Sequence, residues 1–273
     1  MSPIHFNLLE AAFKPSGYKL EILPRCTKES REAGLKYVHN DACYPCLLTT
    51  GQFIDALQSG KYDVNKTAVI MSQTGGQCRA TNYIALIRKA LRDAGFPQVP
   101  VISLSTAATQ KQPGFTYSVP MVLRLVMAIV YGDILMKVLY RVRPYALDKD
   151  ALNALYEKWA KIAKEDITKC SWSAFNKHQR MIIEEFDAFP IDEEMKKPKV
   201  GLVGEILVKY SPDANNNVVE LVESLGGEAV MPSMLDFFCY GRLIRGCYLP
   251  SCISLTDSKT ASAIYSSCSS ERP

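Results

Sequence analysis

The sequence predicts an α/β protein, and three observations lead there. Short apolar runs at 67–72 and 99–104 alternate with stretches of helical period at 45–59 and 80–94. Gly60 follows the first helical stretch, and Gly95 and Pro97 follow the second, where helix stop signals belong. The same alternation resumes at Lys199 after a long helical interval. Alternating strands and helices imply a parallel sheet covered on both faces.

In chain order, a helix is expected over the first dozen residues. A turn at Pro15, Ser16 and Gly17 follows, and then an alternating strand over 18–23. No strand precedes the first helix, so the chain opens as if already inside a domain, which predicts a further element upstream. A helix from Thr27 to Tyr37 leads to the loop carrying Cys43. Pro45 then suits the first turn of a helix over 45–59, where its missing N–H costs nothing, and Leu47, Phe53, Ile54 and Leu57 form its apolar side. Residues 106–118 read as a polar loop, and helices are expected over 120–143, 149–167 and 174–186. From Lys199, KVGLVGEILVKY reads as a strand with its exit loop. Asn215 to Asn217 offer a cap for a helix over 218–225, which Gly226 and Gly227 end, and Ala229 to Met231 form the next strand. The expected domains are therefore an α/β domain over 1–118, a mainly helical connector over 119–198, and the start of a second α/β domain over 199–240. Beyond it the Ser- and Cys-rich segment 241–273 has no sustained apolar period. It reads as a poorly folding tail, as from a shifted reading frame or a truncation.

Composition removes several classes of function. Of the 273 residues 48% are hydrophobic, enough for a sizeable core and about two domains. Lys and Arg number 32 against 28 Asp and Glu, a net charge of +4 with no long basic block, which argues against nucleic acid as a partner. The most apolar run, 119–140, contains Arg124, Asp133 and Lys137, and charges near a bilayer centre cost about 2.5–3.5 kcal/mol each. It is expected to be a core helix, with no role at a membrane. No basic segment followed by an apolar one opens the chain, so a cytoplasmic, reducing location is expected.

The nine cysteines are unevenly placed: Cys26, Cys43, Cys46 and Cys78 in the first third, Cys170 alone, and Cys239, Cys247, Cys252 and Cys268 near the end. An odd count without a secretory signal argues against a disulfide scaffold and leaves ligation or plain burial. Cys43 and Cys78 each precede a helix. Loops after parallel strands gather at the carboxyl edge of a sheet, so the two sulfurs are expected to converge there as metal ligands. The C-x-x-C spacing of Cys43 and Cys46 fits a redox pair, half of a zinc site or part of an iron–sulfur site, while Cys46 reads equally as a small buried apolar residue. Gly75 and Gly76 match neither the Walker nor the dinucleotide pattern, and read as room for the backbone to approach an inorganic group at Cys78. Arg79 could offset the charge of a thiolate-bound cluster or form a surface ion pair. Of the histidines only His39 lies near the cysteine loops, where a hydrogen-bonded loop role is the simpler reading. Glu205 is the candidate site-facing carboxylate, with a structural role at a domain junction as its alternative.

NDACYP at 40–45, QTGGQCRATNY at 73–83 and KVGLVGEILVKYSPDANN at 199–216 together resemble the 2-hydroxyacyl-CoA dehydratase family, particularly its activase-related members. The resemblance spans nearly all of residues 1–240. It implies Rossmann-like α/β domains holding a cysteine-bound 4Fe-4S cubane, or in some relatives a double cubane. It further implies an ATP-dependent activator that injects one electron, so that an acyl-CoA substrate passes through a ketyl radical and loses water. Cys43 and Cys78 match two cluster ligands. The third lies in a second-domain motif absent from this sequence, and a cubane takes three or four ligands, which leaves Cys46, Cys26 or an exogenous group to substitute. The activator module is absent as well, which implies a fragment that is inactive by itself. Two other readings stay open: a thiol-disulfide protein using Cys43 and Cys46, and a non-catalytic assembly fragment. The latter would work in a homo- or heterodimer whose partner brings the missing ligand, including as a double-cubane reductase component.

Overall fold

The computed structural model describes residues 2–23, 25–39, 41–73, 79–105, 114–237 and 239. They form a mixed helix-and-sheet protein with two small parallel sheets. Contacts divide the chain into a unit ending at Val230 and a second beginning at Met231.

Helix α1 (Pro3–Phe13) is followed by a tight turn closed by Gly17, whose φ of 79° suits glycine. Residues 18–23 alternate as a strand would, yet no strand forms there. The segment finds side-chain anchors instead: Tyr18 Oη donates to the Gly114 carbonyl at 3.3 Å, and Tyr62 Oη donates to Glu21 at 2.6 Å. An alternating pattern becomes a strand only where another strand offers its ladder.

Helices α2 (Lys28–Tyr37) and α3 (Tyr44–Gln58) lie antiparallel in backbone contact. Thr27 begins α2 with a capping box, its Oγ1 accepting from the Ser30 N–H while its own N–H donates to Ser30 Oγ. Two glycines permit the close approach. A Cβ on Gly34 would lie 2.3 Å from the Leu47 carbonyl oxygen, and one on Gly51 would lie 1.9 Å from that of Ser30.

Strand β1 (Val69–Gln73), helix α4 (Tyr83–Asp93) and strand β2 (Val101–Ser105) form one β–α–β unit. The strands pair in parallel, with Val69 opposite Val101 and Gln73 opposite Ser105. Val69, Met71 and Val101 pack with Ile54 and Leu57 of α3 and with Ile84, Ile87 and Leu91 of α4. On the other face Ser72 is exposed and Ile70 and Ile102 are half-buried. Among the described residues this sheet thus has two strands with one sealed face, where cover on both faces was expected.

Helices α5 (Val119–Val142), α6 (Lys149–Lys169) and α7 (Trp172–Asp187) form a bundle, which α1 joins by packing on α5 and α6. The N-terminal helix therefore belongs with the connector helices. Asp133, one of the charges inside the apolar run, is buried against His5 of α1, with Nε2 3.0 Å from Oδ1, while His5 Nδ1 meets Ser2 Oγ at 2.8 Å. By length and composition α5 could cross a membrane. Its buried residues, among them Met127, Tyr131, Leu135 and Met136, lie within the bundle. Cys170 ends α6 with a φ of 54°, a left-handed C-cap without glycine.

Strands β3 (Lys199–Gly201) and β4 (Glu228–Val230) pair in parallel as a second small sheet. KVGLVGEILVKY is strand only as far as Gly201. Gly204, at a φ of 139°, breaks the extended run, and Glu205 then caps the short helix α8 (Ile206–Tyr210). Helices α9 (Pro212–Asn215) and α10 (Val218–Ser224) follow, and the Asn215 side chain, not that of Asn217, accepts from the Val218 N–H. Arg143 at the end of α5 grips Glu223 of α10 through Nε at 2.9 Å and Nη2 at 2.8 Å, tying this sheet to the bundle. In the second unit Met231 and Met234 are buried and Cys239 is exposed. The expected tail from 241 lies outside the described residues.

Candidate functional site

Helix α3 starts where Asp41 and Ala42 turn the chain and Pro45 sets a helical φ in its first turn. Cys43 is the N-cap residue, and its backbone carbonyl accepts from the N–H groups of Cys46 and Leu47 at 2.9 and 3.3 Å. Its side chain makes no capping bond. The half-buried sulfur turns instead to Tyr83, the first residue of α4, with Sγ and Oη 2.6 Å apart. Because α4 follows the carboxyl end of β1, the contact joins two helix-opening positions beside that sheet edge.

Cys46 lies one turn farther along α3 and is fully buried, its Sγ 4.0 Å from Thr50 Oγ1. Burial pushes its thiol from 9.0 up to about 11, against a smaller downward pull from the Thr50 hydroxyl. Tyr83 is 4% exposed. Burial is the main cause holding its phenol above the ordinary range, followed by the hydrogen bond with Cys43 and then the charges of Cys43, Cys46 and Glu205. Glu205, the candidate carboxylate, accepts from the Val208 N–H at 2.9 Å and so caps α8.

The buried thiol gives a pH test. Between about pH 9 and about 11 the unfolded chain releases the Cys46 proton while the folded chain keeps it. Stability from this group is complete below pH 9 and is lost as the pH rises through 11. Urea midpoints at about pH 8 and 10.5 should fall further apart in the wild type than in Cys46→Ala. Equal separations in the two proteins would remove this role from the thiol.

Of the other expected site residues, Gly75, Gly76 and Cys78 lie outside the described residues. Arg79 begins the 3-10 turn Arg79–Asn82 that leads into α4. Cys26 does not reach the site. Ser30 of α2 sits beside Asp55 near the far end of α3, at 2.6 Å, and Cys26 precedes that point, its N–H bound to Asp213 at 2.9 Å. The twelve residues from Cys43 to Asp55 span about 18 Å of helix, too far for both thiols to bind one cubane. His39 is an exposed loop residue whose ring accepts from the Asp41 N–H at 3.2 Å. Among the described residues no three His, Cys, Asp or Glu side chains form a ligand set.

Tyr83 is the site residue that motif reading passes over. Its signal was present: it opens the apolar stripe Tyr83, Ile84, Ile87, Leu91, where a buried phenol needs a partner for its hydroxyl. No family model, no curated protein and no solved structure matches this chain.

Proposed function

We propose that this chain is an iron–sulfur protein of the 2-hydroxyacyl-CoA dehydratase type, with β1–α4–β2 as the core of a Rossmann-like domain and Cys43 and Cys78 as cluster ligands. The observation that carries the reading is the Cys43 sulfur, left free by its own helix and turned toward the start of α4, the helix that the Cys78 segment feeds. As a donor set this fits in part. Cys43 is a half-buried thiol at a helix start, whereas Cys46 is held neutral and packed against the core. A remaining ligand would come from a partner chain or an exogenous group.

When bound, the cluster supplies a low-potential electron, received from an ATP-dependent activator, to an acyl-CoA thioester that then loses water. The chain's own residues do the rest. Cys43 would hold the metal group, with the wall of Ile84, Ile87 and Leu91 packed behind it, and Glu205 is the carboxylate we assign as proton acceptor. Anaerobic reconstitution with iron and sulfide tests the reading. The full chain should turn brown with broad visible absorption, and Cys43→Ala and Cys78→Ala should each lose most of the bound iron. A colourless wild type, alone and with an added activator protein, would end the proposal.

The pairing of Cys43 with the buried Cys46 favours a second reading, a thiol-disulfide protein in which Cys43 attacks and Cys46 resolves. It requires a titratable dithiol without iron, and no dependence on Cys78.

A further inference from the structure

Of the charges that interrupt the apolar run of α5, Asp133 is answered by His5 and Lys137 is exposed to solvent. Arg124 has no such account. Its Nε is buried without a hydrogen-bond partner, and among the described residues no other buried side-chain nitrogen or oxygen is left so. Its guanidinium also forms no ion pair among the described residues. A desolvated donor on a charged group is costly to leave unmade, so an arginine held this way on an apolar helix calls for a partner from outside the chain.

Arg124 lines a cleft of about 310 Å³ between the turn after α1 and the start of α5. Pro15, Tyr18 and Pro120 give the cleft ring walls, and Ser16, Thr116 and Ser118 give it hydroxyls, with no carboxylate among the lining side chains. The Tyr18 ring packs on Phe115 at 5.0 Å between centroids, and its Oη donates to the Gly114 carbonyl and accepts from the Thr116 N–H, which fixes that wall. The helix start adds little: Ser118 Oγ already accepts from the Met121 N–H, and Pro120 has no N–H to offer. The guanidinium is the one charged group lining the cleft.

We propose that this cleft binds a small aromatic carboxylate through the Arg124 guanidinium. The two oxygens of a carboxylate match the parallel N–H groups of Nε and one Nη, and its single negative charge equals the single positive charge lining the cleft. A phosphate monoester carries closer to two charges and would leave one unanswered. The Ser16 and Thr116 hydroxyls, which make no hydrogen bond among the described residues, can donate to the same oxygens. Ring walls suit a planar body, and a volume at the low end for small-molecule sites limits that body to about one ring. None of the lining residues belongs to the Cys43 site, so the proposal does not depend on the iron–sulfur reading.

The test measures the melting temperature of the full chain with sodium benzoate, benzamide, sodium phosphate or sodium chloride, the salts at matched ionic strength. Benzoate should raise it more than the other three, since a ligand that binds only the folded chain stabilises it by mass action. Benzamide keeps the ring and removes the charge. Arg124→Met keeps a long unbranched side chain and removes the unpaired donor, so it should melt no lower than the wild type. By isothermal titration it should bind benzoate at least about tenfold more weakly, the loss expected for a charge-assisted hydrogen bond. A wild type indifferent to benzoate, an equal response to benzamide, a stronger response to phosphate, or undiminished binding by Arg124→Met would each overturn the proposal. Without any variant, heteronuclear NMR of the wild type gives a second answer: the Arg124 Nε–H resonance should move downfield as benzoate is added, and a resonance that stays in place refutes the contact.

Discussion

Gly51→Ala should cost about 3 kcal/mol of stability, and should disturb the site without touching any residue in it. The added Cβ would stand 1.9 Å from the Ser30 carbonyl oxygen and 2.8 Å from the Gly34 nitrogen, both backbone atoms that cannot step aside by changing rotamer. Overpacking of this kind usually costs about 1–3 kcal/mol, and a backbone obstacle puts it at the upper end. For a unit of this size the loss should lower the melting temperature by about 6–12 °C. Because α3 carries Cys43 at its start, a helix pushed away from α2 also carries that sulfur away from Tyr83, and reconstituted iron should fall with stability. An exposed control in α2, Lys36→Ala, should change neither. If Gly51→Ala melts with the wild type, the backbone contact between α2 and α3 does not exist in solution.

Asp166→Ala should be comparably damaging in the helical bundle. Asp166 is 6% exposed, and its Oδ2 accepts from the Tyr131 hydroxyl at 2.6 Å and meets His178 Nδ1 at 2.7 Å. One oxygen thereby joins α5, α6 and α7. Tyr131 is fully buried, with burial first and the bond to Asp166 second in holding its phenol protonated. Removing the carboxylate strands that hydroxyl and leaves His178 without its acid, and breaking a buried pair from one side costs about 3–5 kcal/mol. A melting temperature about 10 °C lower is the expected result. Tyr131→Phe, which removes the donor and leaves Asp166 bonded to His178, should cost about 1 kcal/mol. A small effect for Asp166→Ala would mean that the three helices are held by apolar packing alone.

Much of the site's frame was legible in the chain. Cys43 followed by Pro45 marked the opening of α3, and the apolar spacing of 80–94 marked the helix observed as Tyr83–Asp93. The strands read at 67–72 and 99–104 appear at Val69–Gln73 and Val101–Ser105. These features depend on neighbours within a few residues, so local spacing records them. Residues 18–23 misled because alternation describes one face of a strand and says nothing of whether another strand lies beside it. ILVKY lay in what was expected to be a strand and its exit loop, but Gly204 and the Glu205 cap turn it into helix. The chemistry at Cys43 was half legible. The cysteine stood out, whereas its hydrogen-bond partner looked like one more aromatic residue on a helix.

By itself the sequence determined the alternation of strands and helices, where most helices begin and end, and that Asp133 within an apolar run belonged in a protein core. Only the tertiary structure decided that His5 answers Asp133 across 128 residues, that Gly51 lies against the Ser30 carbonyl, that Cys26 stands at the wrong end of α3, and that Tyr83 reaches Cys43. The physical reason is the range of the forces involved. Caps and helical periods are satisfied within a turn or two of chain, while a buried hydroxyl or carboxylate takes whatever partner packing brings to it.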